Sequence, residues 1–486
     1  GRVLGFEFHL CRPDELPTRR PRWHVMDPVR ALSFWLEMLG FTEVLPRKAQ
    51  RWLNESAADR HVGYRAEDGD PEALLHHIDQ TLKETGQLLG LHIQCTSMAF
   101  GAFGLLDQLV RKVQDPLTVQ DFEGKLLAGF EGISTVQQGI AIWDLAQAAR
   151  HVPCVLEPLL TMESAEQMIR AWQGCAEAAH MVVLWDSFVA RFGHRSTQEF
   201  ELSVAHWDED PSFVLQTMRE ILIHNRPDPR ESLRRQEETG QQAVAEMLQC
   251  IRSQGAMPRA WLFGRLVASY RDFVLLRENL KYRLVGRFNS LRKMFLALGR
   301  ILEQRDWIAE CDDIFYLCHE EICRLVADPS GVAEGLKSVL AQRKQEHQVY
   351  TQSTAPDIWV TLDGQEMPMN LPDWENVTTL HGIGCSPGRV TGLAYILDTV
   401  RGGVAMPPGR ILVAPFIDPG LTPLFMTAAG LVTEIGGTLS HGATVAREYG
   451  LPAVVRVPHV TRIIKDGQQI TVDGFTGVVH LGPSEG

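Results

Sequence analysis

One stretch near the end of the chain constrains the fold more than any other: TEIGGTLSHGATVAREYGLPAVV, from Thr433 to Val455. The apolar run GLVTEI reads as a short buried strand, and Gly436-Gly437 break it. Ser440 stands at a helix N-cap position and His441 opens the helix behind it. Gly450, with Pro452 just beyond, is the expected stop. A strand, a glycine turn and a capped helix in so short a span require an α/β unit, with an imidazole at the helix start. The free backbone N–H groups and the positive end of the helix dipole favour an anion there. Gly436 and Gly437 let the backbone approach closely and adopt φ > 0. The Ser440 cap and the small Gly442, Ala443 and Ala446 keep the helix start uncrowded for an anion. A neutral imidazole, with an ordinary pKa of about 6.5, is a competent nucleophile near pH 7. The pattern predicts a phosphohistidine site at His441, against the blander alternative of a cap followed by a surface histidine.

The rest of the chain narrows the setting. Its 486 residues have room for roughly two to four domains. A formal charge of −13 without a basic stripe argues against a nucleic-acid partner. The densest apolar run, SMAFGAFGLL at 97–106, falls short of the ~18 residues a membrane span needs. The opening GRVLGFEFHLCRPDELP lacks the layout of a signal peptide. Nine cysteines with no paired spacing predict a reduced, cytoplasmic protein. Cys318, His319 and Cys323 cluster, but their offsets do not make a tetrahedral ligand set, so no metal site is predicted. A chain that starts on glycine is expected to be a fragment or one subunit of a larger enzyme.

Two regions differ in character. From about residue 25 to 350 long segments of helical period dominate, among them PEALLHHIDQTLKETGQLLGL and AWLFGRLVASYRDFVLLRENLKYRLVGRF. Between roughly Gln352 and Asn376 the pattern breaks at Pro356, Pro368, Pro372 and the Asp363-Gly364 turn. After it, short β-rich runs alternate with helices. The predicted fold is therefore multidomain: a large mainly-α domain over 1–351, a linker over 352–379 and a compact α/β domain over 380–486. The opening GFEFHLCRPDEL would be the last strand of a preceding domain.

Within the helical region one pair of cations stands out. On a helix from about Trp261 to Phe288, Leu266, Tyr270, Phe273, Leu284, Phe288 and Lys281 all fall within about 40° of Arg277. Unpaired buried charge is costly, so Arg277 and Lys281 should face an anion or a cavity, or else pair with interior carboxylates such as Glu199 or Glu201. His194, Arg195, Glu199 and Glu201 form a second cluster. In an extended segment the two carboxylates share one face, where one would act as general base toward a substrate hydroxyl; an ion-paired face beneath the pocket is the alternative.

The Thr433–Pro452 run resembles the signature of the swivelling phosphohistidine domain of phosphoenolpyruvate-utilising enzymes. That family includes phosphoenolpyruvate synthase, pyruvate phosphate dikinase and rifampin phosphotransferase. Thr433, Gly436, Gly437, Ser440, His441, Ala446, Arg447, Glu448, Gly450 and Pro452 fall on its pattern, and Arg456 stands where a glycine is usual. Asp418-Pro419-Gly420-Leu421-Thr422-Pro423 and Cys385-Ser386-Pro387-Gly388 extend the likeness over 380–483. The helical region resembles the substrate domain of rifampin phosphotransferase-like enzymes through Phe192-Gly193-His194-Arg195, Glu199-Phe200-Glu201-Leu202 and Leu276-Arg277-Glu278-Asn279. The resemblance implies an ATP-dependent phosphotransferase in which His441 carries a phosphoryl group across a hinge, over 352–379, to a small apolar acceptor. Arg277 and Lys281 would hold the phosphoryl oxygens. ATP and Mg²⁺ would belong to an ATP-grasp domain or partner subunit, which nothing here resembles. The rival expectations are a prodiginine-ligase-like enzyme or dehydratase using transient phosphoryl activation, and a non-catalytic ligand-binding module.

Overall fold

The computed structural model of the chain describes residues 36–39, 43–55, 70–113, most of 122–352, 377–397 and 406–482, plus short strand pairs at 2–7 and 361–366. A mostly helical part is followed by a mixed α/β domain. Six helices position the site: α1 (Pro71–Val110), α2 (Ser134–Arg150), α3 (Ala179–Phe192), α4 (Pro229–Ser253), α5 (Met257–Gln304) and α6 (His441–Tyr449).

The starts of α1 and α4 are written in the sequence. Asp70 accepts a hydrogen bond from the backbone N–H of Glu72 with Pro71 in the first turn, and Asp228 does the same for Arg230 beside Pro229. The long α1 and α5 lie against one another. Leu88, Leu91, Cys95, Ala99 and Ala102 of α1 share one core with Phe263, Tyr270, Phe273 and Leu284 of α5. By length and composition α1 is also the one described helix apolar enough to cross a membrane, with 33% of its apolar window buried. Its strictly apolar runs are short, which is why the sequence reading did not single it out. A further correction concerns cysteine: a disulfide joins Cys154 to Cys175, a separation of 21 residues that no motif marks.

The C-terminal domain is one eight-stranded sheet. Its strands are β1 (Thr379–His381), β2 (Ile383–Ser386), β3 (Arg389–Ile396), β4 (Ile411–Ala414), β5 (Gly430–Thr433), β6 (Ala453–Val455), β7 (Gln469–Asp473) and β8 (Val478–Leu481). They run in the order β1-β8-β7-β3-β4-β5-β6-β2. The central β3, β4, β5 and β6 are parallel, with Leu412 opposite Leu431 and Leu431 opposite Ala453. β4 is apolar throughout and β5 is apolar but for its last residue, Thr433, and both are buried along their length, as strands covered on both faces require.

One face of this sheet closes over its own core of Ile411, Val413, Val432, Val454, Ile470 and Val472. The other face and α6 merge with the helical part. Ile142 and Leu145 of α2 and Trp185 of α3 share a single apolar cluster with Leu424, Phe425, Ala443 and Ala446. Hydrogen bonds stitch the seam: Ser232 Oγ donates to the Tyr449 carbonyl at 2.7 Å, and Arg226 Nε to that of Met426 at 2.7 Å. A Cβ on Gly139 would meet the Tyr449 hydroxyl at 2.0 Å, so a larger residue there would have to push the Tyr449 ring aside. Helices run to Gln352 and the sheet begins at Thr379. The expected hinge between them lies mostly outside the described residues, which there comprise Gln352, 377–379 and the Thr361-Leu362 and Gln365-Glu366 strand pair. Of the expected N-terminal strand, Arg2-Val3 pairs with Phe6-Glu7, and the remainder lies outside the described residues.

Candidate functional site

His441 is the first residue of α6 and follows the carboxyl end of β5, where ligands of open α/β sheets bind. Ser440 caps the helix, its Oγ accepting from the Ala443 N–H at 3.4 Å. Gly450 stops it in the left-handed region at φ 64°. Gly436 turns the chain at φ 149°, a conformation open to glycine, and Thr433 Oγ1 braces the turn by donating to the Ile435 carbonyl at 3.0 Å. Gly442 lies against Ile417, whose Cβ would stand 3.2 Å from any Cβ added there. Gly437, Ser440 and His441 open on the same cavity.

The other half of the site comes from α5. Glu278, buried in the seam, places its Oε2 2.6 Å from His441 Nδ1. Arg277 Nη2 stands 3.0 Å from Glu278 Oε1 as an ion pair, and Arg277 Nη1 is buried without a hydrogen bond. Burial works against the Glu278 carboxylate, but His441, Arg277 and Lys281 together outweigh it and hold the carboxyl well below its usual range. Burial also depresses the His441 imidazole from 6.5, with Glu278 pulling the other way. With the imidazole lowered, its Nδ1–H bond together with the Arg277 and Lys281 charges still favours an ionised carboxylate, so the neutral ring donates Nδ1–H to Glu278. His441 Nε2 is left buried and makes no hydrogen bond. Lys281, one turn beyond Arg277, stands 5.6 Å over the Phe200 ring. Burial raises Asp418, on the carrier side of the seam, to about 6 against the pull of Lys281.

These groups open on a cavity of about 1240 Å³. Its walls are mainly apolar, with Phe100, Phe103, Phe200, Phe288, Phe295 and Phe315 prominent, and its polar residues include His92, Glu201, Arg277, Lys281 and His441. This exceeds the ~300–1,000 Å³ of drug-sized pockets.

Arg277 and Lys281 thus share the cavity with His441. Neither pairs with Glu199 or Glu201; Arg277 takes Glu278 instead. The second predicted cluster is not brought to the site as one group. The chain turns at 199–201 and is not extended, so Glu199 and Glu201 part company. Glu199 is sealed in an ion pair with Arg195 at 2.5 Å, and Arg195 also donates to Thr135 Oγ1 at 3.0 Å. His194 is half-buried, edge-on against Tyr282 with its Nε2 covered, and desolvation holds its pKa well down. Only Glu201 of the four lines the cavity, exposed and with Oε1 already accepting from Ser203. Sequence reading overlooked Glu278 and His92. Glu278 lies about 100° off the Arg277 stripe on the wheel. The signal for His92 was a lone imidazole within the apolar stretch LLGLHIQCTSMAF.

Two family models match the chain: the rifampicin phosphotransferase fourth domain over residues 92–278, and the PEP-utilising enzyme mobile domain over residues 406–477. Rifampicin phosphotransferase of Bacillus cereus is 30% identical over 360 residues, covering 71% of this chain and 40% of its own length. That of Streptomyces sviceus is 31% identical over 384 residues, covering 76% and 42%. The prodigiosin synthesizing transferase PigC of Serratia marcescens is 30% identical over 371 residues, covering 74% and 40%. The chain thus spans about two fifths of the length of the curated relatives it matches.

Proposed function

Because this chain belongs to the phosphoenolpyruvate-utilising enzyme family, we propose that it is the carrier and acceptor part of an ATP-dependent phosphotransferase. It moves a phosphoryl group by way of His441 onto an apolar organic molecule held in the cavity. ATP and Mg²⁺, bound by an ATP-grasp domain or partner subunit, would supply that group; the chemistry below belongs to residues of this chain.

The observation that carries the reading is the pairing of His441 with Glu278. Because Nδ1–H donates to an ionised carboxylate, the lone pair of the neutral ring is on Nε2, buried at the cavity wall without a partner. Nε2 is the nucleophile. Once it bears the phosphoryl group with Nδ1 still protonated, the ring is a cation and Glu278 balances its charge. When phosphorus leaves, the N–P electron pair returns to Nε2 and the leaving group is a neutral imidazole. Arg277 and Lys281 stand where the phosphoryl oxygens would gather. A guanidinium clamps two of them while an ammonium adds a point charge. Positioning and charge of this kind supply most of the catalysis of phosphoryl transfer. Apolar walls exclude water, which would otherwise take the phosphoryl group.

The test is incubation of the chain with ATP and Mg²⁺, alone and with a separately expressed ATP-grasp domain of a relative, read by intact mass and acid lability. The reading expects one acid-labile phosphate in the presence of that domain and none on the His441→Ala chain. Turnover by His441→Ala would sink it. The likeness to a prodigiosin synthesizing transferase favours a second reading, in which the phosphoryl group only activates a substrate for condensation. Inorganic phosphate released alongside an unphosphorylated product distinguishes the two. Tight ligand binding without any phosphate uptake would leave only a binding module.

A further inference from the structure

The cavity presents three imidazoles: His92, His319 and His441. Two of them are held in a matching way by consecutive residues of α5. The Glu278 side chain holds His441 through Nδ1 at 2.6 Å, and the Arg277 backbone carbonyl holds His92 through Nδ1 at 3.2 Å. A carbonyl only accepts, so the hydrogen of the His92 ring is on Nδ1 and its lone pair is on Nε2. The ring makes no other hydrogen bond, and it is half-buried on the cavity wall. One turn of helix therefore fixes the tautomers of two imidazoles that share one apolar chamber, and leaves an Nε2 lone pair on each.

We infer that His92 is the general base of the transfer, taking the proton of the acceptor hydroxyl as its oxygen attacks the phosphorus on His441. This rests on the carrier reading of His441. The step balances within the named groups. The acceptor O–H bond breaks and its proton passes to His92 Nε2, while the oxygen bonds to phosphorus. The P–N bond to His441 breaks and its electron pair returns to Nε2. His92, now an imidazolium, returns the proton to solvent.

The alternatives on the wall are spoken for. Glu201 Oε1 accepts from both the N–H and the hydroxyl of Ser203. His319 points Nε2 at Asp79 Oδ1, 3.0 Å away, which ties that nitrogen to a carboxylate. Glu278 is committed to His441. The charged groups that bear on His92 are Arg277, Glu278 and Lys281, all of α5. Burial first, then the Arg277 charge, lowers His92 from 6.5, against Glu278 and the carbonyl bond, so the ring is a free base at neutral pH.

The experiment loads His441 of the full chain with phosphoramidate, a small chemical phosphoryl donor that needs no nucleotide domain, and adds benzyl alcohol as the probe acceptor. Benzyl phosphate is measured from pH 5 to pH 8, a span chosen to bracket a histidine, for the wild-type chain, His92→Gln and His92→Asn. We expect equal loading in all three, and benzyl phosphate formed about 10²-fold more slowly by both variants. The wild-type rate should climb with pH to a plateau through an ionisation below 6.5, and this limb should vanish in the variants. A glutamine amide can still donate to the Arg277 carbonyl, so a merely structural role for His92 would leave the rate of His92→Gln and its pH limb intact. Wild-type and variant chains that discharge phospho-His441 at equal rates with the same pH profile, whether to the alcohol or to water alone, overturn the inference. A wild-type chain that takes up no acid-labile phosphate overturns the carrier reading itself.

Discussion

The two halves of this site are made differently. The His441 half is one unbroken strand, turn and helix, held by backbone: a cap, a helix dipole and a glycine turn. The facing half is assembled from side chains far apart in the chain, on α1, on α5 and in the segment around Phe315, with Phe200 and Glu201 between them. A backbone-made anion site is indifferent to what lies beyond it, so it can serve a second site elsewhere. A side-chain-made chamber is shaped to one class of occupant. The division matches the proposed chemistry: a carrier that repeats one task and an acceptor chamber that chooses.

Substitutions can break that division, and the largest effect belongs to the carrier. His441→Ala should abolish phosphate uptake altogether while leaving the affinity for apolar ligands within about 2-fold, as intact mass and a fluorescence titration would show. On the chamber side, Thr96→Trp should fill the cavity beside His92 and cut transfer to acceptors by ~10²-fold. It should load His441 as the wild-type chain does, measured by the same two assays. Slowed loading would mean that the halves are not separable.

Glu278 joins the two halves, and its substitution sharpens the comparison. Glu278→Gln can still accept the Nδ1–H but cannot balance a cationic phosphoimidazole. Loading, which builds that cation, should fall by ~10²-fold in single-turnover kinetics, whereas Thr96→Trp affects transfer alone.

Smaller effects concern the seam. Glu448 of α6 accepts from the Phe130 N–H at 3.1 Å across it. Burial raises its carboxyl to about 7, against that hydrogen bond and the Arg447 charge. With its folded value raised above the ordinary 4.5, the contribution is full below 4.5 and is lost as pH rises through about 7. Denaturant midpoints should therefore decline over that window, and Glu448→Gln, which keeps an acceptor for Phe130, should flatten the decline. Least of all, Arg456 sits in the left-handed region at φ 59°, a conformation that favours glycine. Arg456→Gly should stabilise the chain by about 0.5–1 kcal/mol, since the relief of strain is partly offset by glycine's looser unfolded state. Thermal melting measures it.

How much of this was legible in the sequence follows from the same division. The carrier half could be read because its cap, turn, nucleophile and stop are sequence neighbours. Even the doubtful Arg456 loop takes on sense, since the chain keeps the glycine conformation without the glycine. Arg277 and Lys281 were legible as cations inside an apolar stripe, a cost that demands a reason. Glu278 was not, because its reason is a residue 163 positions away. His92, 185 positions from the carbonyl that orients it, was hidden in the same way. The Glu199–Glu201 pair misled because alternation was read as extension, whereas the segment turns and buries one carboxylate against Arg195.

The most direct test of the account is which nitrogen of His441 carries phosphorus. The chain would be loaded with phosphoramidate under non-acidic conditions and its phosphohistidine identified by ³¹P NMR, with His441→Ala as the blank. Glu278 occupies Nδ1, so the account predicts a single Nε2-phosphohistidine that is absent from the variant. Phosphorus on Nδ1, or an equal signal from His441→Ala, would contradict it.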